Sequence, residues 1–379
     1  MRVTQLAWRP VQGWSPVDAP VSTETQLVFV FFSSAVAESD EAFAWLRERF
    51  PRAILFGCST AGEIRDTHVE DDGIVATAVT FEHTTLHCSS AEVVRPEDSF
   101  DVGRSLAASI PHEHLAHAVV FSDGLRVNGS ELVRGLTAGL SPTVTVTGGL
   151  SGDGARFERT SVLCDGRPMT GRVAILGLYG DAISVGYGSL GGWDPFGPER
   201  LITRSNGSVL YELDGQPALA LYKTYLGEYA SGLPATGLLF PLSLRGDADS
   251  TSVVRTILSV DDAQGSLTFA GDMPEGSLAR LMKANFDRLV DGAIGAARST
   301  RIGQGARNPD LAILVSCIGR KLVLAQRVEE ELEGVRDVLG SHPVLAGFYS
   351  YGEISPFTPS AKCELHNQTM TITTFSEAA

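Results

Sequence analysis

"LFGCSTAGEI" at 55–64 and "LAGFYSYGEI" at 345–354 read alike, although 290 positions separate them. Each ends an apolar run with a glycine (Gly57, Gly347), places a hydroxyl three residues on (Thr60, Ser350) and closes on Gly-Glu-Ile. The surroundings repeat as well. "LVFVFFSS" at 27–34 is continuous, apolar and β-branched or aromatic, the pattern of a buried strand. A helical pattern, "ESDEAFAWLRERF", follows and Pro51 stops it. The quoted turn and a second strand, "GIVATAVTF", complete the unit. Residues 311–375 run in the same order: "LAILVSC", the helix "QRVEEELEGVRDVLG" with its glycine stop, Pro343, the quoted turn and "TMTITTF".

A looser third copy spans 118–179, from "AVVFSDGL" through "SELVRGLTAGL", Pro142 and "VTVTGGLSGDG" to "RVAILGLYG". Gly-Asp there replaces Gly-Glu. Strand–helix–strand units whose last two strands lie close enough for direct pairing predict an α/β fold with mixed β-sheets. The segment 181–310 differs. It holds a hairpin turning at Asn206-Gly207, a short helix over "QPALALYKTYLG", strands over "SVVRTILSV" and "GSLTFAG", and a long helix over "SLARLMKANFDRLVDGAIGAA". The break falls near Gly180. The expected architecture is therefore two similar halves, 1–180 and 181–379, with a ligand cleft between them.

The bulk numbers remove whole classes of function. A formal net charge of -15 offers no basic face to a nucleic acid or an anionic membrane. No secretory h-region opens the chain, and "LVFVFF" is far too short for a membrane span. Five scattered cysteines (Cys58, Cys88, Cys164, Cys317, Cys363) without a C-x-x-C predict a reducing, cytoplasmic setting and no disulfide framework. "GYGSLG" at 186–191 satisfies G-x-G-x-x-G, but Pro195 and Pro198 forbid the helix that a dinucleotide site needs. It is expected to be an apolar loop carrying Tyr187, Trp193 and Phe196. No G-x-S-x-G elbow or H-E-x-x-H helix is present, and "PHEHLAHA" reads as a loop entering a strand. These readings favour binding over catalysis, with no catalytic residue and no metal site.

Candidate binding residues lie where the strands end, the usual place for ligands in open α/β sheets. They are Gly57, Cys58, Ser59, Thr60 and Glu63 in the first turn, and Tyr349, Tyr351 and Glu353 in the last. "GGLSGDG" carries four glycines in seven residues and adds Gly149, Ser151 and Asp153 as an anion nest. Arg320 suits a bidentate carboxylate, and the three acids suit an ammonium group. Cys58 is a buried thiol or, with a histidine partner, a nucleophile.

"GCSTAGEI", "DGLRVNGSELVRGL", "GGLSGDGARFERTSV" and "GRVAILGLYG" resemble the N-terminal part of the FIST family of sensory proteins. "YELDGQPALALYKTYLG", "SCIGR", "LAGFYSYGEI" and "HNQTMTITTF" resemble its C-terminal part, in the right order. The resemblance implies a bacterial signal-transduction sensor for small ligands such as amino acids or their derivatives. It also implies a partner histidine kinase or cyclic-di-GMP enzyme, here expected as a separate protein. Stand-alone members include haem-containing nitric-oxide sensors, and "GYGSLGGWDPFGPERL" resembles their loop. By that resemblance haem is the cofactor, with Tyr187 as axial ligand and Cys58, Tyr349 or Tyr351 as alternatives. A non-catalytic scaffold is the remaining reading.

Overall fold

The structure is a computed structural model that describes residues 1–17, 19–246, 252–301, 308–357 and 362–378. It is α/β with mixed sheets. Three six-stranded sheets share one plan, and an eight-stranded sheet is inserted into the third. At the heart of each six-stranded sheet is a parallel pair: Leu27–Ser33 with Ile54–Thr60, Leu115–Ser122 with Thr145–Leu150, and Leu311–Cys317 with Val344–Ser350. A third strand returns antiparallel to the first of each pair, namely Ile74–Thr80, Arg172–Tyr179 and Met370–Glu377. A strand that precedes the unit joins its outer edge, namely Arg2–Arg9, Thr85–Glu92 and Ile183–Leu190. The third copy is thus a full one, and every unit begins one strand earlier than the sequence repeat suggests.

The fifth position is filled by exchange. The short strand after the first turn, Glu63–Arg65, pairs with Val344–Ser350 of the third unit. Gly352–Pro356, after the last turn, pairs with Thr145–Leu150 of the second. Val162–Cys164 of the second unit pairs with Ile54–Thr60 of the first. The exchange is cyclic, so the three sheets enclose a common interior. Rings from all three meet there: Phe31 lies 4.9 Å from Phe348 and 5.6 Å from Phe121, and Phe121 lies 5.5 Å from Phe348. All three are fully buried, and burying each ring contributes about 1.5–3 kcal/mol.

Three local expectations need correction. The helix predicted over 277–297 is a strand, Leu278–Lys283, followed by a helix, Phe286–Ser299. The strand is held between Asp194–Asn206 and Leu242–Arg245, and the Asn285 side chain, accepting from Arg288 N, starts the helix. "GYGSLG" is a strand, not a loop, because Met370–Glu377 gives it a complete antiparallel ladder. Its Gly188 admits the helix behind it, since a Cβ there would collide with the Ala296 carbonyl. Cys88 and Cys164, expected as thiols, are joined as a disulfide. The exchange strand carries Cys164 to Cys88 across 76 residues, a proximity that spacing cannot reveal.

The helices read from sequence over 38–50, 130–140, 216–227 and 326–340 are present as Asp40–Arg49, Gly129–Gly139, Ala218–Leu226 and Val328–Leu339. The Asn206-Gly207 hairpin also forms. Among the described residues no helix is long and apolar enough to cross a membrane. A cavity of about 380 Å³ lies between the halves, bordered by the helix Gly129–Gly139, the inserted sheet and the strand Cys363–His366.

Candidate functional site: the convergent turns

The signature glycines occupy matching positions. Gly57 stands beside Val30, Gly148 beside Val120 and Gly347 beside Leu314 in the parallel ladders. A Cβ on any of the three would lie far inside contact distance of that partner's carbonyl oxygen. The glycines therefore let paired strands approach. Beyond them the chain turns inward, so the three turns converge from both halves of the chain.

The turns bond to one another in a ring. Ala61 N donates to Tyr349 O, and Tyr349 N to Gly62 O, both at 2.8 Å. Tyr351 N donates to Leu150 O at 3.2 Å. Gly152 N donates to Ser59 O at 2.9 Å and Gly154 N to Thr60 O at 3.2 Å. The Ser59 hydroxyl donates to Gly152 O at 2.8 Å and accepts from Ser161 N at 2.9 Å. Gly149 is buried, facing Val315 and the Phe348 ring, and Ser151 donates to Ser122 O at 2.9 Å. Cys58 is fully buried and its thiol pKa is pushed well up, first by burial and then by Glu63. A protonated, sealed thiol is a packing group.

Two carboxyls are buried at equivalent places. The Thr60 hydroxyl donates to Glu63, which also accepts from Gly73 N at 3.4 Å. The Ser350 hydroxyl donates to Glu353 at 2.6 Å, and Thr369 donates to it through N at 3.1 Å and Oγ1 at 2.9 Å. Both are fully buried, and burial outweighs these bonds to push each carboxyl up to about 8. Lys321 lies nearby, donating to Ala61 O at 2.9 Å. Asp153 differs. Burial acts to raise it, but bonds from Ser34, Arg156 and the backbone of Arg159 and Glu158 hold it below the usual range. Tyr351 Oη ties the same turn, accepting from Asp153 N at 3.0 Å and donating to Gly154 O at 3.1 Å.

Arg320 is fully buried but faces inward. It meets Glu331 at 2.7 Å and also donates to Leu289 O at 2.7 Å and to Gly191 O. The carboxylate it holds is therefore the chain's own. Ser316 and Tyr349 donate to the other Glu331 oxygen at 3.0 and 2.7 Å. Tyr187 lies apart from the turns, half-buried in the strand Ile183–Leu190 near Cys363, and burial raises its phenol pKa. Tyr349 is sealed in the Glu331 network and Tyr351 in the Asp153 turn, so neither they nor Cys58 fit an axial haem ligand.

The loop 366–369 holds what residue types alone did not single out. Gln368 is fully buried with a left-handed backbone (φ 63), and neither its Oε1 nor its Nε2 has a hydrogen-bond partner among the described residues. Asn367 Oδ1 is likewise buried and unpartnered. Asp72 (φ 65) and Gly171 (φ 63) occupy the matching positions before Ile74–Thr80 and Arg172–Tyr179. The left-handed turn thus belongs to the unit, and the buried glutamine only to the third copy. Glycine or aspartate would have marked it in sequence, and glutamine does not.

These burials set a pH optimum. The unfolded chain loses the Glu63 and Glu353 protons from about pH 4.5, whereas the fold keeps them to about 8. Stability therefore falls as pH rises through that window, by about 1.4 kcal/mol per pH unit per group. Burial holds His117 down to about 3 and His366 to about 4. The unfolded chain binds those protons below about 6.5 and the fold does not, so stability also falls on acidification. The opposing slopes offset each other near pH 4.5–6.5, where denaturant midpoints are expected to peak. Glu353→Gln is expected to flatten the alkaline limb, and a midpoint still rising from pH 6.5 to 8 would contradict this account.

The comparisons give the class to which this ring of exchanged α/β units belongs. The FIST N domain matches residues 26–216 and the FIST C domain residues 218–356, and the chain belongs to the FIST family. FIST domains are signal-transduction sensor domains. An uncharacterized protein of Methanocaldococcus jannaschii is 25% identical over 356 residues, covering 86% of this chain and 65% of that protein. An uncharacterized protein of Mycobacterium tuberculosis is 27% identical over 222 residues, 57% of each chain. The chain thus spans less than two thirds of these relatives' length. A solved cyanuric acid hydrolase of A. caulinodans aligns with a TM-score of 0.20 and 9% identity over 78% of this chain and 100% of its own.

Proposed function

We propose that this protein is a cytoplasmic ligand-sensing component that binds an amino acid or a derivative at the convergent turns and regulates a separate histidine kinase or cyclic-di-GMP enzyme. One observation supports this most: the wholly unpartnered buried amide of Gln368 and the unpartnered Oδ1 of Asn367, beside the neutral Glu353 carboxyl. Leaving such groups unbonded costs about 1–3 kcal/mol each, and a ligand with its own amide or carboxyl would recover it. A saturating ligand at 100-fold its dissociation constant adds about 2.7 kcal/mol.

Gln368→Met keeps the volume and removes both orphan atoms. It is expected to unfold no more easily than the parent, by roughly 1 kcal/mol in its favour, while losing the thermal shift with the ligand found in an amino-acid screen. A variant that is destabilised, or that retains the shift, sinks this reading. The haem version rests on Tyr187 alone. A Soret band in protein from haem-supplemented cells, moving with nitric oxide and lost in Tyr187→Phe, would support it over the amino-acid version.

A further inference from the structure

The cavity between the halves carries a feature that neither the signature turns nor the family match explains. Arg255, on the strand Val253–Arg255 of the inserted sheet, lines it and is only 7% exposed. Nε donates to Asp272 O at 3.3 Å, and Nη1 donates to Leu365 O at 3.0 Å and Val254 O at 3.4 Å. Three carbonyls thus aim the guanidinium without neutralising it. Among the described residues Arg255 has no ion pair, and its hydrogen bonds go to carbonyls alone. The position has been cleared for it, because a Cβ on Gly271 would sit 2.7 Å from Nε. An arginine this buried is nearly always paired, since an isolated charge is costly in an apolar setting.

The walls state the rest of the ligand. Val133 comes from the helix Gly129–Gly139, Leu244 from the inserted sheet and Leu365 from the strand Cys363–His366. These side chains make most of the cavity apolar. Asp272, Glu364 and Arg134 also border it; Arg134 is already held by Glu131, and the two acids favour the charged guanidinium while repelling surplus negative charge. A volume of about 380 Å³ suits a molecule of roughly ten heavy atoms.

We propose that this cavity binds a small monocarboxylate with an apolar chain or ring, its carboxylate on Arg255 and its apolar part against Val133, Leu244 and Leu365. The two wall acids discriminate against dicarboxylates and phosphate. This site is separate from the convergent turns, and it stands or falls independently of the reading given for them.

Calorimetric titration of the full chain with hexanoate, benzoate, succinate and inorganic phosphate tests it. Hexanoate or benzoate is expected to bind saturably with one site, and succinate and phosphate at least tenfold more weakly. Arg255→Met is expected to weaken the monocarboxylate at least tenfold. Ser277→Phe, which fills the cavity from its border, is expected to do the same while keeping the parent circular dichroism. Gln368→Met is expected to leave this titration unchanged, which separates the two sites. Equal binding of succinate, unaltered binding in folded Arg255→Met or Ser277→Phe, or no heat with either monocarboxylate would each overturn the proposal.

Discussion

Alanine at Gly347 is expected to leave no soluble folded protein at 37 °C, and alanine at Gly57 or Gly148 to act alike. At each site the added methyl falls on a backbone carbonyl of the neighbouring parallel strand, not on a movable side chain. Relief requires parting Leu311–Cys317 from Val344–Ser350, the pair that carries both the Arg320 network and the last turn. Overpacking a core usually costs about 1–3 kcal/mol, and here ladder bonds are lost as well, so the total approaches a typical domain's whole stability. The soluble fraction after expression, with circular dichroism of whatever remains, checks it. A soluble Gly347→Ala protein with parental denaturant midpoint would show that the strands can move apart freely. Gly340→Ala supplies the contrast, because a Cβ there meets nothing within 4 Å and only its left-handed φ of 81 is strained.

Removing the Arg320 charge is the second large effect. Arg320→Met leaves Glu331 buried with two hydroxyls and no cation, which is expected to cost about 3–5 kcal/mol. Arg320→Met combined with Glu331→Met is expected to recover most of that loss, because an apolar pair of similar volume avoids both desolvation penalties. Urea midpoints of the two single variants and the double variant form the test. If the double variant is no better than the worse single one, the backbone bonds to Gly191 and Leu289 matter more than the charge pair. Because the cation is spent internally, its loss acts on stability and not on recognition of a ligand carboxylate.

The repeated unit was legible because its determinants are local. Apolar runs of strand length, helices with proline or glycine stops, and the glycine–hydroxyl–Gly-Glu spacing all lie within about sixty residues. The alignment of "GGLSGDG" was harder to read. Gly148 matches Gly57 and Gly347, but Asp153 sits one position earlier than the glutamates do and bonds to Ser34 and Arg156 instead of a hydroxyl in its own turn. Strand exchange was not legible, since Glu63–Arg65 and Gly352–Pro356 take partners hundreds of residues away. The same holds for Arg255, which looks in sequence like any strand arginine. Only the fold reveals that, among the described residues, its hydrogen bonds go to carbonyls and no carboxylate pairs with it. Periodicity also misjudged 277–285, where the alternation of Leu278–Lys283 was read as the start of a helix.

The cyclic exchange bears on ancestry. The piece that was copied is a stretch of roughly ninety residues, yet no single copy owns a finished sheet, because each borrows an edge from another. Heredity and cooperativity therefore work on different units: duplication handles one copy, while melting involves all three. The ends of the chain sit together, with the Met1 amino group 3.7 Å from Glu377. The Glu377 carboxylate also accepts from the backbone N–H groups of Glu82, His83 and Thr84, so the last strand of the third unit is fastened to the junction between the first two.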